Sequence, residues 1–308
     1  MTVLRECVSD YLSVRRALGF QLTETSHLLT DFVGFLERAG ATTLTTQLAV
    51  TWATQTETGM NRRSARLSVL RGFARYLQAI EPSTEIPPAN LLPRDSRRAI
   101  PYIYTEAEVS ALLAATQTLG SPAARWLLAT LIGLLSATGM RLGEAVGLDR
   151  DDLDWAHGIL TIRKGKFGKS REVPVHHTTM RALEGYGRWR DQWAPHPKGP
   201  SFFVSQRATR PNRSAIDDTF RKLVRRAGLP DVPGRSRPRL HDFRHAFAVR
   251  TLLDWYRDGR DVAAHLPLLS TYLGHVNPSH TYWYLSATPE LLALAAERLE
   301  HGPAGGRS

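Results

Sequence analysis

The chain has 308 residues, of which 42% are hydrophobic. This length favours two domains, and the composition excludes a globally disordered chain. Lys and Arg number 40 against 29 Asp and Glu, a net charge of +11, and only five of the 40 are Lys. Because Arg carries a permanent charge on a planar fork that matches phosphate oxygens, a polyanionic partner is favoured. A single cysteine, Cys7, excludes a disulfide framework.

A proline-rich segment divides the chain. Residues 81–101 hold five prolines and show no apolar periodicity, which is typical of an extended linker. We therefore expect a first domain at 1–81, a linker at 82–101, a second domain at 102–300 and a disordered tail at 301–308. Residues 1–92 carry nine Arg and eight acidic residues, a net of +1, so the remaining +10 lies in 93–308. The basic surface is thus expected mainly on the second domain and the linker.

The first domain is predicted to be a four-helix unit. Apolar spacing indicates helices near 4–18, 25–39, 45–56 and 61–80. Three arginines, Arg62, Arg63 and Arg66, crowd the first turn of the last helix, where cations oppose the helix dipole. We expect them to contact the DNA backbone, although a plain solvated face is the alternative.

The second domain is predicted to be mainly helical with a small antiparallel sheet. Thr105 and Glu108 form a capping box, and a long apolar helix begins at Pro122 and ends at Gly139. Strand patterns follow at 159–163, 172–175 and 202–205, with further helices near 178–193, 213–227, 241–257, 261–273, 278–285 and 289–300. The apolar, uncharged stretch 126–140 is too short to span a membrane.

Two motifs that suggest a bound group do not hold up. Gly168-Lys169-Ser170 lacks the glycine that a phosphate-binding loop needs at position 163, which is Arg. His241 and His245 stand at i,i+4 on one predicted helix, but Arg244 lies between them and the glutamate of a zinc-protease motif is missing. The expectation is that no metal or other cofactor is bound.

Five short segments carry the remaining candidate residues. In chain order these are Arg141 in ATGMRLGE, Lys166 in the hairpin KGKFGK, His241 and Arg244 in LHDFRH, His275 in LGH, and Tyr284 in TYWYL.

This ordered set resembles the tyrosine recombinase (phage integrase) family, whose signature is Arg…Lys…His-x-x-Arg…His…Tyr. The resemblance covers nearly the whole chain. It implies a helical core-binding domain, a mixed α/β catalytic domain, and a site-specific recombinase that cuts and rejoins DNA through a covalent 3′-phosphotyrosine without metal or ATP. The hairpin departs from the family's common Gly-Lys-Gly-x-Lys, so Lys166 is the best match and Lys169 the fallback.

The charges of these residues indicate the catalytic role expected of each. Attack on a phosphodiester builds negative charge on the phosphoryl oxygens, which Arg141 and Arg244 can hold bidentately. By resemblance, Lys166 protonates the 5′-oxygen leaving group. His241 is expected to act as the general base, and His275 to donate to the phosphate or assist.

Two tyrosines compete for the role of nucleophile. Tyr282 and Tyr284 lie about 200° apart on a helix, so only one can face the arginines. The nine-residue interval from His275 favours Tyr284. Glu144 and Asp242 are expected to orient the arginines.

The expected partner is double-stranded DNA with inverted-repeat-like core sites, bound by a homotetramer on synapsed DNA. Sister recombinases or accessory proteins are further expected partners, and Lys164 and Lys169 are expected DNA contacts. The resemblance suggests a mobile element and a bacterial, cytoplasmic, nucleoid-associated protein, with no membrane contact. Two alternatives remain: a type IB topoisomerase-like enzyme, and a catalytically silent DNA-binding protein.

Overall fold

The structure is a computed structural model. It describes residues 2–20, 22–55, 59–94, 100–163, 170–230, 237–275, 277, 279–286 and 289–300. The chain divides into two compact units, Met1–Arg98 and Ala99–Ser308.

The first unit holds the four predicted helices. These are α1 (Thr2–Ala17), α2 (Thr23–Arg38), α3 (Thr46–Thr54) and α4 (Met60–Gln78). The Thr45 side chain accepts the Leu48 N–H and so caps α3. The helices enclose an apolar core in which Trp52, Phe32 and Phe73 are fully buried.

Arg66 on α4 belongs to this core, which corrects the expectation that it contacts DNA. The residue is 8% exposed, and its guanidinium lies 3.9 Å from the centroid of the Trp52 ring. It also donates to the Trp52 carbonyl and to Asp31 Oδ2, both at 3.3 Å. The charge is therefore used inside the protein, in a cation–π contact. Of the other two arginines, Arg62 is exposed and Arg63 is half-buried.

The second unit contains the remaining helices of the described chain. They are α5 (Glu106–Thr116), α6 (Pro122–Thr138), α7 (Leu142–Gly147), α8 (His177–Trp193), α9 (Arg213–Arg226), α10 (Asp242–Arg257), α11 (Val262–Leu273), α12 (Ser279–Tyr282) and α13 (Pro289–Glu300), with 3-10 turns at Arg150–Asp152 and Trp283–Ser286. The predicted capping box of Thr105 and Glu108 is present at the start of α5. The short helix α7 was not predicted, because its six residues are too few to show a period.

A three-stranded antiparallel sheet lies in this unit. Its order is β1 (Leu153–Asp154), β2 (Ile159–Ile162) and β3 (Arg171–Pro174), with Leu160 opposite Val173. The fold class predicted from the sequence, mainly helical with a small antiparallel sheet, is confirmed.

The strand predicted at 202–205 is wrong. Ser201 makes one isolated bridge to Asp149, and the residues that follow it form no ladder. Phe202 and Phe203 are both buried against Tyr186. Because consecutive side chains of a strand point to opposite faces, this one-sided burial favours an irregular segment.

Two apolar clusters hold the second unit together. The larger one surrounds α6, where Leu131, Ile132 and Leu135 are buried. The other cluster joins α10 and α11. It also includes Tyr284 from the 3-10 turn and Leu291 from α13. Among the helices that the structure describes, none combines the length and the apolar character needed to cross a membrane.

Candidate active site

Arg141 stands where α6 gives way to α7. α6 ends at Gly139, whose backbone is left-handed with φ 61°, and a Cβ there would lie 2.6 Å from the Phe247 ring. Glycine meets both constraints. The turn makes Arg141 the N-cap of α7. Its guanidinium donates to Glu144 Oε1 at 2.7 Å and to the Gly274 carbonyl at 3.2 Å.

Arg244 lies beside Arg141 and is 2% exposed. Its Nη1 donates to the Gly139 carbonyl at 3.1 Å and its Nη2 to the Leu273 carbonyl at 2.7 Å. Two consecutive carbonyls, those of Leu273 and Gly274, thus hold the two guanidinium groups at the end of α11. A guanidinium has five N–H donors, and each of these arginines uses two of them in hydrogen bonds to described residues. Donors remain for an oxyanion.

The positive charges disfavour one another. The pKa of Arg244 is lowered to about 10, first by burial and then by the nearby charge of Arg141, while Tyr284 and Glu144 oppose the decrease. Arg244 is still protonated at neutral pH, but an added anion would relieve the repulsion between the two cations.

Glu144 and Arg171 support this pair from behind. Burial alone would raise the pKa of Glu144, but hydrogen bonds from Arg171 and from the Arg141 backbone N–H lower it to about 2. Arg171, the first residue of β3, donates to both carboxylate oxygens, at 3.1 and 2.9 Å, and to the Tyr272 carbonyl at 2.9 Å. One ionised carboxylate therefore ties Arg141 to the sheet.

Tyr284 is the tyrosine that enters the site. It is 2% exposed, whereas Tyr282 is 51% exposed. The Tyr284 hydroxyl lies 3.0 Å from Nδ1 of His245, which is also buried. A negative charge on Tyr284 would interact favourably with Arg244.

His275 lies in the turn after α11. Its Nδ1 is 2.7 Å from the Thr281 hydroxyl. Its ring is nearly parallel to that of Tyr284, with 6.3 Å between the centroids. The Thr281 contact fixes the ring orientation of His275 next to the phenol.

His241 precedes α10 on the exposed side of the site. Neighbouring protein atoms displace water from its imidazole and lower its pKa, and the charges of Arg244 and Arg141 act in the same direction. The neutral imidazole is therefore favoured at neutral pH. Its ring centroid lies 5.0 Å from that of His245.

The structure thus brings together most of the predicted site residues: Arg141, Arg244, His241, His275 and Tyr284. Lys164, Lys166 and Lys169 lie outside the described residues. Within the ranges that the structure describes, no three His, Cys, Asp or Glu side chains group as metal ligands.

One orienting residue must be corrected. Asp242, expected to orient an arginine of the site, binds Arg239 instead, with 2.9 Å between Oδ1 and Nη2. This pairing is local, because the two residues are three positions apart and Arg239 also donates its backbone N–H to Asp242. Glu144 does orient Arg141, as predicted.

Two residues of the site were missed by the sequence reasoning. His245 was considered only as a metal ligand, although its i,i+4 spacing from His241 placed it on the same helix face. Arg171 had a weaker signal, an arginine between the lysine hairpin and the strand predicted at 172–175.

Known proteins share the sequence and the fold of this chain. Residues 103–290 match the model of the phage integrase family. A protein named integrase/recombinase y4rB from Sinorhizobium fredii is 42% identical over 97% of this chain and 98% of its own length. Tyrosine recombinase XerC from Herpetosiphon aurantiacus is 31% identical over 71% of this chain and 67% of its own. Among solved structures, XerH recombinase bound to a palindromic difH substrate has a TM-score of 0.63 and 19% identity, covering 89% of this chain and 78% of XerH.

Proposed function

The chain belongs to the phage integrase family of tyrosine recombinases, and from this membership we propose that it cuts and rejoins DNA through a phosphotyrosine intermediate. The Tyr284 hydroxyl attacks a backbone phosphorus, a 3′-phosphotyrosine forms, and the 5′-oxygen leaves. A 5′-hydroxyl from a second strand then reverses the step. The observation that carries the proposal is a buried tyrosine hydroxyl in the electrostatic field of Arg244, whose neighbour is Arg141.

The arginines supply binding and transition-state stabilisation. Attack on the phosphodiester adds charge to the non-bridging oxygens, and hydrogen bonds from ionised donors strengthen as that charge grows. Arg141 and Arg244 are fixed by main-chain carbonyls before DNA arrives. Their positions therefore require little reorganisation during the reaction.

The two oxygen atoms of the reaction need proton partners. The leaving 5′-oxygen takes a proton, which we assign to Lys166, with Lys169 as the second candidate. The Tyr284 hydroxyl loses a proton, and the candidates to take it are the imidazoles of His241, just before α10, and of His245, on α10. The energy of the broken P–O bond is kept in the phosphotyrosine, so rejoining requires neither ATP nor, in this proposal, a metal ion.

The proposed substrate is duplex DNA with inverted-repeat core sites. XerH, which shares the fold, was solved on a palindromic site. A palindrome presents two equivalent half-sites, which suits symmetric copies of one chain. We propose that four copies act on two synapsed sites, with sister recombinases or accessory proteins as further partners. The reaction would mobilise an element of the bacterial chromosome, in the cytoplasm at the nucleoid. The exposed Arg62, with Arg63, Lys164 and Lys169, would contact DNA phosphates.

The test is covalent trapping on a suicide substrate. The protein is incubated with nicked duplexes from the DNA flanking its own gene, in EDTA, and denatured samples are examined for a protein–DNA adduct. We expect an adduct with the wild-type chain and with Tyr282→Phe, and none with Tyr284→Phe. An adduct that persists in Tyr284→Phe would refute the assignment of the nucleophile. Salt-sensitive binding without an adduct on any duplex would favour the silent DNA-binding protein.

Strand exchange distinguishes a recombinase from a topoisomerase-like enzyme. Two duplexes carrying different labels are mixed with the protein, and products that join the two labels are sought. A recombinase transfers the 3′-phosphate to the partner strand, whereas a topoisomerase returns it to the same strand. Relaxation of supercoiled DNA with no joint product would support the topoisomerase.

A further inference from the structure

The buried hydrogen bond between Tyr284 and His245 is not explained by the role expected for His241. The Tyr284 hydroxyl lies 3.0 Å from His245 Nδ1, and the two residues are 2% and 8% exposed. They are 39 positions apart, so the contact depends on the packing of the 3-10 turn at Trp283–Ser286 against α10. A phenol and an imidazole at this distance, away from water, form a ready path for a proton.

We propose that His245 accepts the phenolic proton of Tyr284 during cleavage, an inference that rests on the proposed recombinase function. In the tautomer protonated at Nε2, Nδ1 accepts a hydrogen bond from the hydroxyl. As the Tyr284 oxygen bonds to phosphorus, its proton moves to Nδ1 and the imidazole becomes a cation, while the P–O5′ bond breaks and the 5′-oxygen takes a proton from the general acid. In rejoining, the phenol leaves and recovers its proton from His245.

Position separates His245 from His241. His241 is exposed, and within the described residues no hydrogen bond joins its ring to Tyr284. It lies near Arg244 and Arg141, whose charges lower its pKa. An imidazole on the open side of two phosphate-binding arginines is suited to contact the phosphate. His245 is on the closed side, against the nucleophile.

The surroundings of the pair favour transfer of the proton. From α10, Arg244 stabilises negative charge on the phenol, and the His241 ring contacts that of His245. From the turn after α11, His275 faces the phenol, but its Nδ1 is engaged by Thr281. The His245 ring also lies 5.7 Å from that of Trp283, which does not titrate. Among these groups His245 has the shortest contact with the hydroxyl.

The test compares two histidines one helical turn apart, with His245→Asn and His241→Asn. Single-turnover cleavage is followed from pH 6 to 10 on the nicked duplex that traps the wild-type chain, and on the same duplex with sulfur replacing the scissile 5′-oxygen. A thiolate leaves without a proton, so this second duplex isolates activation of the nucleophile. Binding of both duplexes is measured in the same samples.

We expect His245→Asn to slow cleavage of both duplexes roughly 10²- to 10⁴-fold, the usual contribution of a general base. The cleavage rate of His245→Asn should rise up to about pH 10, because without the histidine Tyr284 must ionise unaided. His241→Asn should cleave more slowly than wild type but keep the wild-type pH profile. These profiles separate proton transfer from a structural role, which would lower the rate without changing its pH dependence.

Several outcomes would overturn the inference. One is a wild-type pH dependence of the cleavage rate in His245→Asn. Another is a cleavage rate in His241→Asn that rises up to about pH 10. If His245→Asn does not bind DNA, His245→Gln is tested in its place. If neither variant binds, the pH dependence of cleavage by His241→Asn decides. A pH dependence like that of the wild type supports His245 as the base, and a rate that rises up to about pH 10 refutes it. No adduct with the wild-type chain would refute the proposed function and this inference together, whereas an adduct with unchanged profiles refutes the inference alone.

Discussion

Replacing Glu144 with Gln removes a buried negative charge from between Arg141 and Arg171. The carboxylate accepts a hydrogen bond from each guanidinium group and from the Arg141 backbone N–H. A glutamine keeps one acceptor oxygen, but it directs an NH₂ group towards donors that cannot accept from it. Breaking a buried ion pair by removing one partner costs about 3–5 kcal/mol.

The pKa of Glu144 gives an independent magnitude. It is about 2 in the folded chain against an ordinary value of 4.5. A carboxyl shifted by this amount stabilises the fold by about 3 kcal/mol at neutral pH. Because the folded pKa is the lower one, this stabilisation is complete above pH 4.5 and is lost as the pH falls towards 2. The free energy difference between wild type and Glu144→Gln should therefore be about 3 kcal/mol at pH 7 and roughly half that at pH 3.

Urea unfolding followed by tryptophan fluorescence measures this difference. Six of the seven tryptophans lie after residue 98, so the signal reports mainly the second unit. Glu172→Gln is the matched control, since Glu172 is an exposed neighbour of Arg171 on the same strand, and its effect should stay within about 0.5 kcal/mol. A Glu144→Gln effect below about 1 kcal/mol at pH 7, or one that does not shrink at pH 3, would refute the reasoning.

Four further substitutions test other parts of the structure. Arg66→Ala should destabilise the first unit by about 2 kcal/mol in thermal unfolding, since it removes the contact with Trp52. Arg62→Ala should leave stability unchanged and lower the salt dependence of DNA binding by about one phosphate contact, measured at several salt concentrations. The reasoning is wrong if the two variants exchange these effects. Gly274→Ala should destabilise the second unit by about 2 kcal/mol and slow adduct formation, because φ at this residue is +67° and the new Cβ would lie 2.8 Å from the Arg171 guanidinium. Urea unfolding like that of the wild type would contradict this prediction. Arg171→Lys should slow adduct formation about tenfold with DNA affinity retained, since an ammonium cannot reproduce the two parallel hydrogen bonds of the guanidinium to the Glu144 carboxylate. An unchanged single-turnover rate would show that this paired contact is dispensable.

Local features of the fold were within reach of the sequence. α6 begins at Pro122 and ends before Gly139 as predicted, because a proline at the first helical position and a left-handed glycine after the last one act within a few residues. The pairing of β2 with β3 was predicted from the Gly and Lys residues between them, which are typical of a hairpin turn. Helical geometry also predicted that only one of Tyr282 and Tyr284 faces the arginines, and the interval from His275 favoured Tyr284, which is the buried one.

Long-range contacts were decided by the tertiary structure. Arg141 meets the Gly274 carbonyl across 133 positions, and Arg171 reaches Tyr272 across 101. The period of a helix or strand shows which face a residue occupies but not which distant residue packs on that face. For this reason Arg171 was missed, and Arg66 was predicted to lie on the surface although it is buried against Trp52.

The order and type of the charged and phenolic residues were enough to predict the family of the chain. The partners of those residues follow from the packing of segments that are distant in the chain. The four-residue spacing places His241 and His245 on the same side of the segment that contains α10, yet of the two only His245 has a hydrogen bond to the Tyr284 hydroxyl in the described residues. Packing of the 3-10 turn against α10 breaks that equivalence, since burial and hydrogen-bond geometry depend on segments that are distant in the chain.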